Sequence, residues 1–387
     1  MSHALLLGLG RSPSPALAAY AARFTARAYR MVHDRPAHPA SDVPRTARRR
    51  LLAGLGAAAA LGGGWVGAGA APAPSAPGGF AFALIGDVPY GTREVPQVDA
   101  LIRALNADAE LAFVLHVGDI KSGAERCDDG LLRERLRQMQ QVRAPLVYTP
   151  GDNEWTDCHR PLNGGYVPTE RLALLRRLFF AEPGRSLGRQ PMAVRSQALE
   201  DPAHAAFVEN VMFERQRVLF ATLHVVGSRN DLLPWVGVDY RDNVSGTNAQ
   251  RGTEFETRQA ANLAWLDRLF GEAQRRGAAA VVVAMHANLR IEMQAGIPKR
   301  QGFDAVVERL RTRAAAFGRP VLLLHGDYHG FHMDQPWNRE GAAEPRLPNV
   351  TRVQSYGSPH VHWVKVRVAP GAQQVFDVVP RRVKGNP

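Results

Sequence analysis

Several familiar chemistries have no residues to run on in this sequence. No Gly-x-Ser-x-Gly occurs, and neither of the two cysteines, Cys127 and Cys158, follows a strand with a base beside it, so nucleophilic Ser or Cys hydrolysis is disfavoured. The strand ends lack Gly-x-Gly-x-x-Gly, which disfavours a Rossmann-type nucleotide module. There is no internal repeat of fixed period. There is also no basic run interleaved with aromatics of the kind that grips single strands. The net charge of +12 is lopsided: residues 1–70 hold nine of the 48 basic residues and two of the 36 acids, leaving 39 against 34 in the remainder. That is an ordinary surface, and no nucleic-acid partner is expected. The uncharged stretch 51–70 is fourteen parts Gly or Ala in twenty, too weakly apolar for a stable membrane span.

What precedes that stretch is basic. Ala47-Arg48-Arg49-Arg50-Leu51-Leu52 runs into it, and Ala68-Gly69-Ala70 and Ala71-Pro72-Ala73 offer small-residue cleavage options. The pattern resembles a twin-arginine (Tat) export signal, which implies the Tat export machinery as a partner and a periplasmic or secreted mature protein. An Ala/Arg-rich disordered leader is the plainer alternative. That route carries folded proteins, so metal could be loaded before export. A Pro/Ala linker, 72–79, follows. The chain is therefore divided into an N-terminal extension, 1–79, and one large domain, 80–380.

From Phe80 onward strands alternate with helices. Helical spacing of apolar residues predicts helices over 95–107, 131–142, 169–180, 253–274 and 302–316. Between them lie strands at 80–85, 112–117, 145–149, 278–285 and 320–325. Two strands over 207–213 and 218–226 read as a hairpin around Arg215-Gln216, and the tail, 350–379, as three short antiparallel strands. Segments 181–202 and 230–252 are loops long enough to shape a pocket. Crossovers through helices imply parallel pairing.

Four of these strands end in Gly-Asp: Gly86-Asp87, Gly118-Asp119, Gly151-Asp152 and Gly326-Asp327. A buried strand delivers each carboxylate to one rim, glycine permits the sharp turn, and Asp offers a hard oxygen ligand on a short stem. Four buried acids without a cation would cost several kcal/mol apiece, so a divalent metal is expected. His286 ends another strand, and His329 follows Asp327. Such a set suits a two-metal hydrolase.

The order and spacing resemble the calcineurin-like metallophosphoesterases, the superfamily that includes the purple acid phosphatases, over most of 80–365. Asp87, Gly118-Asp119, Gly151 with Glu154, His286, and Gly326 with His329 match the family pattern. Four positions depart from it. Pro89 stands for the His of Asp-x-His, Asp152 for the ligand Asn, Asn153 for the catalytic His, and Asp327 for the first His of the last motif. The resemblance implies a four-layer α/β sandwich of two mixed β-sheets flanked by helices. It also implies two divalent ions (Mn, Fe, Mg or Zn), Asp87, Asp119 and His329 on one, and Asp119, Asp152, His286 and Asp327 on the other, with Asp119 bridging. The first ion is then a ligand short, and Tyr90 is the candidate replacement, with a structural role on the rim as its alternative. The implied activity is hydrolysis of a small phosphorylated substrate, a phosphomonoester or phosphodiester, by a hydroxide bridging the ions.

Asn153 does not readily protonate a leaving group, so His159 is the candidate general acid, with a surface His bonded to Asp157 as its alternative. His224, His332, His360 and His362 are further candidates, the last two sharing one face of a strand. His116 and His325 read as satisfied core residues. Arg229, Asn230 and Arg241 are the expected phosphate contacts. In an oxidising compartment a Cys127–Cys158 disulfide would staple the loops after the Asp119 and Asp152 strands, against two free buried thiols otherwise. The rival function is a catalytically weak relative that binds an anionic or phosphorylated ligand without turnover.

Overall fold

The computed structural model describes residues 78–340 and 345–387. The twin-arginine-type segment and the linker up to residue 77 lie outside them. The strands are β1 (Phe80–Ile85), β2 (Leu111–His116), β3 (Leu146–Tyr148), β4 (Arg195–Ser196), β5 (Val211–Arg215), β6 (Val218–Thr222), β7 (Ala280–Ala284), β8 (Val321–His325), β9 (His332–Asp334), β10 (Val350–Gln354), β11 (Trp363–Val368) and β12 (Phe376–Arg381). The five longer helices are α1 (Val95–Ala107), α2 (Asp129–Met139), α3 (Pro168–Phe179), α4 (Ala249–Arg275) and α5 (Asp304–Phe317).

Two mixed sheets result, ordered β12-β11-β1-β2-β3 and β4-β5-β6-β7-β8-β10-β9. Alternation along each strand sorts side chains to two faces. Phe80, Phe82, Leu84, Phe113 and Leu115 of the five-stranded sheet meet Phe213, Phe220, Val282, Leu322 and Leu324 of the other. Phe82 stacks on Phe113 at 5.0 Å and meets Phe220 edge-on at 5.6 Å. The opposite faces are covered by helices. Ala83, Ile85 and Val114 pack under Leu101, Leu105, Leu132 and Leu175 of α1, α2 and α3. Leu219, Val281 and Leu323 pack under Trp265, Leu269, Val307 and Leu310 of α4 and α5. Helix, sheet, sheet and helix make the four layers expected. No helix among the described residues is long and apolar enough to cross a membrane.

Three local expectations are corrected. The tail strands do not form one antiparallel group: β10 pairs parallel with β8, while β11 and β12 run antiparallel beside β1 in the other sheet. The hairpin is there, but with Arg215 opposite Val218 its turn is Gln216-Arg217, both left-handed at φ 48° and 63°. Helix α4 begins at Ala249, inside the expected 230–252 loop, because the Asn248 side chain accepts from the Arg251 N–H and caps it there.

Cys127 and Cys158 are joined, with Cα atoms 5.8 Å apart. The bridge ties the loop after β2 to the loop after β3, and both sulfurs lie against the Asn153 carbonyl oxygen at 3.5 and 3.6 Å. Closing 31 residues of chain stabilises the fold by about 3 to 4 kcal/mol in the chain-entropy model. Denaturant unfolding with and without reductant is expected to differ by that amount, and thiol counting on unreduced, unfolded protein is expected to find none. Two titratable thiols would remove the staple.

Candidate metal centre

Each acid reaches the centre by a turn in which the glycine mostly provides room. Asp87, Asp119 and Asp327 are themselves left-handed, at φ 57°, 55° and 75°, as is His329 at 62°. Such a backbone in a non-glycine residue costs about 1 to 2 kcal/mol and is retained where a site demands it. A Cβ on Gly326 would run into the Asp87 carboxylate, and one on Gly151 into that of Asp119. The expectation that glycine makes the turn holds in backbone terms for Gly118, at φ 89°, which also packs on the Gly151 backbone. Glu154 locks two of these ends together: its Oε1 accepts from the Gly151 N–H at 2.7 Å, the Asp119 N–H at 3.1 Å and the Tyr148 hydroxyl at 2.7 Å.

The acids then meet. Ligand atoms of Asp87, Asp119 and His286 lie within 4.8 Å of one another, and so do those of Asp152, His286 and Asp327. Asp327 N–H donates to Asp87 Oδ1 at 3.0 Å, joining the two groups. His286 Nε2 stands 3.0 Å from Asp152 Oδ1 and 3.4 Å from Asp119 Oδ1. Its Nδ1 is 2.8 Å from the Val117 carbonyl oxygen. His329 repeats the device, Nδ1 against the Ser358 carbonyl oxygen at 2.9 Å and Nε2 3.7 Å from Asp87 Oδ1. A carbonyl at Nδ1 fixes the tautomer that leaves Nε2 free to ligate. His329 borders the first group without belonging to either compact set.

Electrostatics agree with a cation site. Burial pushes Asp119 well above the ordinary carboxyl range, and Asp152, Glu154 and Asp87 add to it against the pull of His286. Burial is also the leading cause that raises Asp87 and Asp327. It presses on Asp152 too, but the hydrogen bonds from His286 and Ser228 and the His286 charge bring that group down to about 2. Burial opposes a charge on His286, and Asp119, Asp152 and Asp87 outweigh it, so its pKa stands well above the usual value. One imidazolium cannot neutralise four carboxylates in a dry pocket. Oxygen and imidazole donors of this kind fit one or two divalent ions.

The remaining expected residues divide. Tyr90 reaches the centre through Asp119, its hydroxyl donating to Oδ2 at 2.6 Å, and its ring stands edge-on to His329 at 5.0 Å. Asn153 Nδ2 donates to the same Asp119 oxygen at 2.5 Å and to the Tyr90 hydroxyl at 2.9 Å, so it orients a ligand and offers no acidic proton. His159 does not lie on the surface. It is buried, accepts from the Gly237 N–H at 3.3 Å through Nδ1, and burial lowers its pKa to about 3, so it is neutral and engaged elsewhere. Asn230 is likewise structural: Oδ1 accepts from Arg258 and Nδ2 donates to the Gly302 carbonyl at 3.0 Å. Arg241 is exposed and turned onto its own neighbour, Tyr240, at 2.9 Å from the hydroxyl. Of the three expected phosphate contacts, Arg229 alone keeps its guanidinium clear of such bonds among the described residues.

Among the other histidines, His116 accepts from the Gly118 N–H at 3.2 Å and His325 Nδ1 is 2.9 Å from Gly326 O, both buried. His224 belongs to a separate buried pair, 2.7 Å from Glu209 Oε1. His332 is exposed, near Asp334. His360 and His362 precede β11 instead of lying in a strand. Sequence reasoning missed three residues. Ser228 Oγ donates to Asp152 Oδ2 at 2.8 Å and is 2.7 Å from Asp157 Oδ1. Asn288 N–H donates to Asp327 Oδ2 at 3.2 Å. Arg290 lies within electrostatic range of Asp327. None sits in a spacing that announces it.

Two results are expected of the centre. Mn2+ at about 100 times its Kd should raise unfolding free energy by about 2.7 kcal/mol, reversed by chelator. Gly326→Ala, by displacing Asp87, should weaken that affinity roughly tenfold or more. Thermal melts titrated with metal measure both, and melts indifferent to metal would refute the cation site.

No family model matches the chain, and no curated protein does. Solved structures do. A dimetal phosphatase from Danio rerio aligns at TM-score 0.47 and 12% identity over 79% of this chain and 99% of its own. GAP50, the anchor in the inner membrane complex of Plasmodium, aligns at 0.41 and 10% over 80% and 90%. Phosphopantetheinyl hydrolase from Mycobacterium tuberculosis aligns at 0.41 and 15% over 73% and 92%. The chain itself shows two packed mixed sheets flanked by helices, with acids at the strand ends.

Proposed function

We propose that the protein is a metal-dependent phosphoesterase. The observation that carries this reading is the convergence of Asp87, Asp119, Asp152 and Asp327 on His286, with both imidazoles of the centre tethered at Nδ1. Asp87 and Asp119, with His329 beside them, would face one ion position and Asp152 and Asp327 a second, and His286, with Nε2 alone free, would ligate an ion in one of the two. Divalent ions there supply an activated water and neutralise charge on the phosphoryl oxygens. Tyr90 and Asn153 hold Asp119 in place, and Ser228 does so for Asp152. The twin-arginine-type segment and the disulfide support an oxidising compartment outside the cytoplasm.

One observation favours a second reading, an anion binder without turnover: the position expected of the general acid is an amide, and His159 Nδ1 is engaged by the Gly237 N–H. The two readings separate on leaving groups. A site with no proton to donate still cleaves esters whose leaving oxygen departs as a stable anion, and a positioned acid is worth about 100-fold to 10,000-fold on those that do not. The enzyme reading therefore expects metal-dependent hydrolysis of aryl phosphates at least about 100-fold faster than of alkyl phosphates. Asp119→Asn should lower kcat/KM about 100-fold or more, since a single acid holds the Tyr90 and Asn153 contacts and a ligand position. Metal-loaded protein inert toward every aryl mono- and diester would leave the binder.

A further inference from the structure

The turn after β8 carries an aromatic ring to the edge of the centre. Asp327 and His329, left-handed at φ 75° and 62°, are both half-buried beside the other acids, and Tyr328 between them is 45% exposed. The backbone under that ring is held on both sides. Asp327 N–H donates to Asp87 Oδ1 at 3.0 Å, the Tyr328 carbonyl accepts from the Gly330 N–H at 2.9 Å, and the His329 carbonyl accepts from the Gly357 N–H at 2.9 Å. Single apolar side chains on a surface need no explanation. Among the described residues, however, Tyr328 is the only large exposed one that adjoins a residue of the centre in sequence, and it adjoins two.

One face of the ring is backed. The Arg290 guanidinium carbon lies over it, 5.3 Å from the centroid. A short tether brings Arg290 there: its left-handed backbone, at φ 51°, donates through N–H to Asn288 Oδ1 at 2.9 Å, and the Asn288 N–H donates to Asp327 Oδ2 at 3.2 Å. Asp327 thus anchors both the tyrosine that follows it and the segment that carries the cation over that tyrosine. A guanidinium on one face steadies the ring, and the exposure that remains leaves the other face to solvent. A fixed aromatic face open to solvent is a stacking surface for a second flat ring.

We propose that the open face of Tyr328 receives the aromatic ring of the leaving group, so that this residue sets the preference for aryl over alkyl phosphoesters. The assignment rests on the phosphoesterase reading and names its substrate class. Two independent features agree on it. Asn153 offers no acidic proton beside Asp119, which selects a leaving oxygen that departs as a stable anion, and an oxygen attached to an aromatic ring does so. Tyr328 then supplies the flat surface that such a ring needs. It is the residue that separates Asp327 from His329, so a phosphoryl group drawn to the ion positions carries its substituent toward the edge where this ring stands.

Two measurements test this. By calorimetry, Mn2+-loaded protein should bind phenylphosphonate at least about tenfold more tightly than methylphosphonate, a preference that Tyr328→Phe keeps and Tyr328→Ala loses. In turnover, Tyr328→Ala, shown by its melt to be folded, should raise KM for 4-nitrophenyl phosphate about tenfold and leave kcat within about twofold of the wild type. Inhibition by inorganic phosphate, which has no ring, should stay as it is in the wild type. A wild type without the phenyl preference, or a preference that survives Tyr328→Ala, overturns the platform. So does phosphate inhibition that weakens in step with KM, since that marks a merely structural role. Wild-type protein that hydrolyses no ester overturns the phosphoesterase reading, and phosphonate binding, which needs no turnover, then decides the platform alone.

Discussion

Four carboxylates brought together out of water repel each other, and the rest of the centre is arranged around that repulsion. Each is delivered by a strand whose burial is secured by the sandwich, so none can retreat to solvent without unpacking a sheet edge. Burial raises three of them toward the neutral form, and the fourth stays low through His286, with the Ser228 hydroxyl and Arg160 helping. A cation reverses this balance, since it favours every charged form at once. The left-handed Asp87, Asp119 and Asp327 backbones belong to the same constraint: an extended residue at the strand end would point its carboxylate along the sheet and away from its partners.

Holding such a cluster needs anchors that do not themselves carry charge into it. Backbone groups do most of this. Carbonyls of Val117 and Ser358 fix the imidazoles, and amides of Asn153, Asp327 and Asn288 donate to Asp119, Asp87 and Asp327. The disulfide and Glu154 act one layer further out, joining the loops after β2 and β3, so that Asp119 and Asp152 move as one body. Glycines at 118, 151 and 326 let these backbones approach to distances at which any side chain would collide.

The sandwich was legible because its strands are apolar on both faces and its helices keep a 3.6 period, signals set by burial alone. Asp87, Asp119, Asp152, Asp327 and His286 were legible for a related reason: an acid at the end of a buried strand is too costly to keep unless a cation or a hydrogen-bonded partner awaits it. Illegible were features decided by neighbours far away in the chain. The pairing of β10 with β8 depends on which sheet has an open edge, and a four-residue left-handed turn without glycine has no local propensity behind it. His159 misled because a histidine six residues after Asn153 looks mobile on paper, whereas a 3-10 turn, Thr156–His159, buries it against Gly237. Arg290 gave no signal, since in a chain with 48 basic residues one arginine shortly after His286 does not stand out.

The left-handed turn at Ser228–Asp231 is the place where stability and chemistry pull against each other. Four non-glycine residues in that conformation cost several kcal/mol at about 1 to 2 kcal/mol each, a large share of the margin by which a domain stays folded. The hydrogen bonds from Arg258 to Asn230 and from Trp235 to Asp231 offset much of it, and buried bonds to a charged donor are worth about 1.5 to 3 kcal/mol. An ordinary loop could have joined Gly227 to Leu232 without such strain. What the strained turn does is place the Ser228 hydroxyl on Asp152 from a short, fixed segment. Strain here substitutes for a longer loop: it fixes direction in a short segment, so that one acid of a crowded, negatively charged centre keeps a neutral hydrogen-bond donor.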